Sequence, residues 1–158
     1  MLPEANANAG GAATAPAQPV DPYRNFNFKV DILGITQISF AECSGLGIKV
    51  DALSYREAGN NQVVRRIPGQ VQYADVTLRY GVTTSPQMWE WLSAAVSGTV
   101  ERKSVSIILL DSDGATEVMR WNLDRAWVSE WHGIPFDALG HGIAIESMTL
   151  VFDTLERA

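Results

Sequence analysis

From Asn25 onward the chain alternates apolar and polar residues with a period of two. Phe26, Phe28, Val30 and Ile32 fall on one face, and Asn27, Lys29 and Asp31 on the other, which predicts a half-buried strand. Gly34 marks a turn. Ile38 and Phe40 continue as a second strand, so the two are expected to form a hairpin. Ser44-Gly45-Leu46-Gly47 breaks the pattern, and residues 48–56 resume it, with Ile48 and Val50 against Lys49 and Asp51. Residues 57–62 are turn-formers. Val63 to Ile67 predicts a short basic strand stopped by Pro68-Gly69. Further on, Ala74, Val76, Leu78 and Tyr80 oppose Asp75, Thr77 and Arg79.

The period then changes once. Ser85 is a good N-cap residue, and Pro86 suits the first helical position, where its missing N–H costs nothing. Met88, Trp89, Leu92, Ala95 and Val96 form a stripe at helical spacing, and Gly98 is placed to end the helix in a left-handed conformation. The expectation is one helix over about residues 86–97. Trp89 and Trp91 lie about 200° apart on it, so one of them must leave the stripe.

Strands resume after the helix. Val105, Ile107 and Leu109 are flanked by further apolar residues, Ile108 and Leu110, as in a central strand covered on both faces. Asp111-Ser112-Asp113-Gly114 is a hairpin turn. Val118 to Asn122, Ala126 to Trp131 and Ile143 to Phe152 are three more extended segments, with a loop at 133–142. The sum is a mainly β domain, a sandwich or partly closed barrel of about seven or eight strands with one helix packed on it.

Composition divides the chain. Residues 1–20 hold seven Ala, three Pro and one charged residue, Glu4, and predict a disordered arm that lacks the large apolar groups needed to offset ordering entropy. Residues 21–158 are the expected domain. No apolar run is long enough to span a bilayer as a helix, and no signal peptide is visible. The formal charge is −6, which argues against a nucleic-acid binder.

Candidate chemistry is sparse. His132, His141 and Asp137 could hold a metal, but the spacing matches no ligand motif. The one cysteine, Cys43, reads as a buried structural thiol rather than a nucleophile. There is no phosphate loop, dinucleotide fingerprint or nucleophile elbow. No catalytic residue, metal or cofactor is expected. Arg56, Arg65 and Arg66 with Glu57 surround a turn-rich segment that suits a protein–protein contact, against the plainer reading of a solvated loop.

Several segments occur in an order shared with one family: Tyr23 to Phe28, Glu42 to Leu46, Tyr55-Arg56-Glu57, Ile67-Pro68-Gly69 and Tyr80-Gly81-Val82. Trp89-Glu90-Trp91, Val105 to Asp111, Arg120-Trp121-Asn122, Ala126-Trp127 and Ile145-Glu146 follow. The chain resembles the tail tube proteins of contractile phages and the inner tube proteins of extracellular contractile injection systems, over about residues 21–156.

The resemblance implies a structural virion-type component with no enzymatic activity. Its subunits form hexameric rings that stack into a hollow tube inside a sheath, and strands of six copies line the lumen. It also implies a loop, here residues 52–70, that reaches neighbouring subunits within and between rings. The implied interface candidates are Tyr55, Arg56, Glu57, Asn60, Arg65, Arg66 and Pro68. The implied partners are further copies, a sheath protein, and baseplate, tube-initiator and terminator proteins. DNA or cargo would pass through the lumen without specific binding. Assembly in the producer cytoplasm, then residence in a phage virion or injection particle, is the implied localisation. The alternative is a monomeric β-barrel module that binds a small ligand or peptide in a closed pocket.

Overall fold

The computed structural model describes residues 22–35, 38–59 and 62–158. The expected arm at 1–20, and Asn60, lie outside these residues. Nine strands and one helix occur among the described residues. In chain order they are β1 (Phe28–Ile32), β2 (Phe40–Ser44), β3 (Ile48–Tyr55), β4 (Arg65–Tyr73), β5 (Val76–Gly81), α1 (Gln87–Val96), β6 (Lys103–Leu110), β7 (Glu117–His132), β8 (Ile145–Val151) and β9 (Thr154–Arg157).

Seven strands form one antiparallel sheet in the order β1-β6-β7-β8-β5-β2, with β9 also paired to β7. The sheet is not closed: β1 and β2 end the path, and β9 is a further edge strand beside β7. The expected β1–β2 hairpin is therefore wrong. Gly34, at φ 81°, does turn the chain, but β1 pairs with β6 and β2 with β5. Val30 and Ile32 nevertheless share one core with Leu78, Val105, Leu123, Val128 and Leu150, and Phe40 and Cys43 pack against it. Residues from both ends of the sheet meet in that core, so the sheet folds over itself.

The alternation sets the core where it was clean. Val76, Leu78 and Tyr80 on β5 are buried, while Arg79 is exposed. On β6 both Ile107 and Ile108 are buried, as a central strand requires. Its turn to β7 is held by Asp113, whose carboxylate accepts the N–H groups of Ala115 and Thr116 at 2.9 Å each. Strand β7 runs unbroken through the polar residues that divided it in sequence. Its first half pairs with β6 and its second with β8, and a bend at Arg125, φ 55°, joins them. An ion pair from Arg125 to Asp153, at 2.9 Å, lies across that bend.

The helix begins one residue later than expected. Pro86 takes the cap position without a side-chain bond, and the Ser85 N–H instead donates to Thr83 Oγ1 at 3.1 Å. Gly98 ends the helix at φ 86°, as its position predicts. The buried stripe is rotated from the expected one: Met88 and Trp91 face the core, while Trp89 and Val96 are exposed. Trp91 wins the core position because its indole N–H finds the Glu101 carbonyl at 2.7 Å. Trp89 packs edge-on against Trp131, with ring centroids 5.2 Å apart.

Gly45 pins the place where β3 and β4 leave the sheet. Its φ is 96°, and a Cβ there would lie 2.2 Å from the Asp75 carbonyl oxygen. Both the backbone conformation and the close approach exclude a side chain. Gly45→Ala is expected to cost about 2 kcal/mol or more. Urea unfolding would measure this, and a midpoint equal to wild type would show that the crossing is not tight.

Candidate assembly interface

Strands β3 and β4 pair only with each other, in register from Ile48↔Tyr73 to Tyr55↔Arg65. They form a hairpin that stands off the main sheet. Its root is tied down twice. The Ala74 N–H donates to the Gly47 carbonyl at 3.0 Å, and Tyr73 packs on Phe152 of the core with centroids 5.8 Å apart.

Beyond the root the hairpin is apolar and uncovered. Ile48, Val50, Leu53, Tyr55, Ile67 and Val71 are all 46–57% exposed. An isolated two-stranded ribbon is marginal in water, and one with half-exposed Ile, Leu and Tyr calls for a covering surface.

These residues do not share one face. Val50 pairs with Val71 and Ala52 with Pro68, so Gly69 and Gln70 together oppose Asp51. This is a β-bulge. Gly69 suits it because an added Cβ would sit 3.0 Å from Leu53 Cγ and 3.1 Å from the Asp51 carbonyl oxygen. Side chains alternate along a strand, so Ile48 and Val50 lie on one face with Val71 and Tyr73. Leu53 and Tyr55, with Ile67 opposite Leu53, lie on the other. The hairpin thus carries one apolar patch near its root and a second near its tip, on opposite faces. The bulge also explains how β4 runs through Pro68-Gly69 instead of stopping there. Proline is tolerated at bulges and on edges.

The charged candidates ride on this hairpin. Tyr55, Arg56, Glu57, Arg65, Arg66 and Pro68 are all exposed. Arg65 Nη1 reaches Glu57 Oε1 at 3.1 Å. Arg56 and Arg66 make no ion pair among the described residues. Exposed pairs of this kind add little to the stability of the chain itself. Sequence reasoning singled out the arginines with Tyr55 and Pro68, but not the exposed Ile48, Val50, Leu53, Ile67 and Val71 of the same hairpin. Their alternation was visible, but alternation alone does not say whose core a strand's apolar face enters.

The enzymatic alternatives do not assemble. His132 lies 3.5 Å from Glu130, and Asp137 is engaged in its own turn, where it accepts the Leu139 N–H at 3.0 Å. Among the described residues no three His, Cys, Asp or Glu side chains gather as a metal site. Burial, with Glu42 beside it, pushes the Cys43 thiol up to about 11, which keeps it protonated and unreactive. Burial also pushes the Tyr80 phenol above its ordinary value, with Glu146 adding to the shift. The interior of the folded sheet is filled by Tyr80, Leu78, Leu123, Met148, Leu150 and Trp91, all fully buried.

A filled β core thus carries an uncovered, two-faced apolar hairpin, a surface suited to contact with other chains. The sequence comparisons agree. The profile of the T4-like virus tail tube protein gp19 family matches residues 24–156, and the chain belongs to that family.

Solved structures share the fold. A chain of the cryo-EM structure of the anti-feeding prophage cap, the AFP tube terminating cap, is 30% identical at TM-score 0.78, covering 98% of this chain and 99% of its own. A chain of the PVC sheath-tube complex, an extracellular contractile injection system in its extended state, is 30% identical at TM-score 0.79. That match covers 92% of this chain and 99% of the other. Hcp1 from Flavobacterium johnsoniae, at 14% identity and TM-score 0.53 over 82% of this chain and 93% of its own, shows the fold alone. No curated protein sequence matches the chain. Among the described residues no helix is long and apolar enough to cross a membrane.

Proposed function

We propose that this chain is the inner-tube subunit of an extracellular contractile injection particle, closing into six-membered rings that stack around a lumen. The observation that carries this reading is the β3–β4 hairpin, whose two apolar faces have no cover within the chain. The open edges at β1 and β2 support it as well, since neighbouring copies can pair with them and remove both edges. Likeness to chains of sheath-tube and tube-terminating assemblies favours a sheath, a baseplate and a terminator as partners. It favours an injection particle over a phage tail for the same reason. A net charge of −6 suits a conduit for DNA or acidic cargo that must slide without sticking.

Negative-stain microscopy of the purified full chain tests the reading. Rings or stacked tubes are the expected result, and a strict monomer at high concentration overturns it. The arginines give a finer test. Arg65→Glu combined with Arg66→Glu is expected to weaken assembly while changing stability by less than about 0.5 kcal/mol, because both side chains are exposed. Tubes with wild-type salt tolerance would remove these arginines from the interface.

A further inference from the structure

A short cleft opens at one end of the folded sheet, between the start of α1, the ends of β5 and β7 and the start of β8. Its volume is about 310 Å³, and Tyr80, Met88, Trp89, Trp131, Glu146 and Met148 line it, with residues 83–86 at the rim. Strand register explains why these side chains meet. Tyr80 lies opposite Glu146, Leu78 opposite Met148 and Met148 opposite Trp131, so all of them share the inner face of the sheet.

Glu146 is out of keeping with that face. Met148 and Leu150, two and four residues further along the same side of β8, are buried apolar groups. The Glu146 carboxylate is half-buried and stands beside the Tyr80 hydroxyl, whose ionisation it opposes. It makes no ion pair among the described residues. A carboxylate held at the edge of an apolar core without a cationic partner is complementary to a cation brought from outside.

The walls around it suit such a cation. Trp89 and Trp131 meet with ring planes at 79° and centroids 5.2 Å apart, and Tyr80 adds a third ring to the lining. Aromatic faces carry negative potential and attract a positive group within about 6 Å. Met88 and Met148 contribute polarizable sulfur. Trp89, more than half exposed, forms the wall on the solvent side. The start of α1 brings a partial positive charge to the rim, which Glu90 in the first helical turn offsets.

Hydrogen bonding narrows the class of cation. A lysine-type ammonium brings three N–H donors and a guanidinium five, and each donor needs an acceptor once it leaves water. The cleft supplies one carboxylate, and Thr83 Oγ1 at the rim already accepts the Ser85 N–H. A quaternary ammonium has no donor to satisfy, so π walls and a single counter-ion are sufficient for it.

We infer that this cleft is a binding site for a small quaternary ammonium solute, with Glu146 as its counter-ion and Trp89, Trp131 and Tyr80 as its aromatic walls. The site goes beyond the tube reading and does not depend on it.

Choline is the probe, added to the full chain and followed by tryptophan fluorescence and calorimetry. Saturable binding with half-saturation at about 1 mM is expected. Its neutral isostere 3,3-dimethyl-1-butanol fills the same shape without the charge and is expected to bind at least about tenfold more weakly. Glu146→Gln and Trp89→Ala are each expected to weaken choline binding about tenfold, with circular dichroism as the folding control. Nitrogen-15 spectra place the site independently of any variant: choline should move the indole N–H signals of Trp89 and Trp131 and leave that of Trp121 unchanged. Equal affinity for choline and the neutral alcohol, wild-type affinity in a folded Glu146→Gln protein, or a titration that moves neither indole signal overturns the inference.

Discussion

The chain carrying Leu53→Asp and Tyr55→Asp is expected to remain folded and to lose assembly. Both side chains lie on the tip patch of the hairpin, about half exposed, and the hairpin meets the core only at its root through Tyr73 and Phe152. Charging the tip therefore removes little from the folded monomer, whose melting temperature should shift by no more than a few degrees. A carboxylate forced into an apolar contact must be desolvated without a partner, at a cost of several kcal/mol for the pair. The association constant should fall by at least about a hundredfold. Light scattering against concentration, with circular dichroism as the folding control, reads both effects. Assembly at wild-type concentration would mean that the hairpin tip is a solvated loop after all.

The second large effect concerns the core. Trp91→Ala is expected to cost about 3–5 kcal/mol, because it empties a fully buried site and leaves the Glu101 carbonyl without the indole N–H it accepts at 2.7 Å. Trp89→Ala, two residues away, is expected to cost about 1 kcal/mol, since that ring is 55% exposed and keeps only an edge contact with Trp131. Urea denaturation of the two variants separates them. Equal losses would mean that the helix is not rotated as described, and that Trp89 shares the core.

These two tryptophans show how far the sequence carries. Helical period showed that the pair must diverge, but the stripe drawn from it placed Trp89 inward, whereas Trp91 takes the core because a carbonyl ten residues further on accepts its indole N–H. Strands with strict alternation, β1 and β5, were legible, since burial on one face enforces the pattern directly, and β6 was legible as a run apolar on both faces. Pairing was not. The short connection through Gly34 suggested a hairpin, yet the partners of β1 and β2 lie far along the chain. Strand β9 left almost no trace in sequence, because Leu155 alone packs inward. On the hairpin, the arginines were visible as charge, and the family resemblance pointed to residues 52–70. Ile48, Val50, Leu53 and Ile67 looked like any half-buried strand, because alternation alone does not say whether a strand's apolar face meets the chain's own core.

The bulge at Gly69 has a consequence for how growth proceeds. One patch of the hairpin faces one way and one the other, so a single flat partner covers at most half of the apolar surface. A pair of copies leaves a wet face behind, and so does every short stack. Satisfaction rises only as further chains arrive, which makes the smallest aggregates the least stable ones. On the tube reading proposed above, the bulge that sets Gly69 and Gln70 of β4 against Asp51 is expected to act as a nucleation barrier, favouring few long tubes over many short fragments.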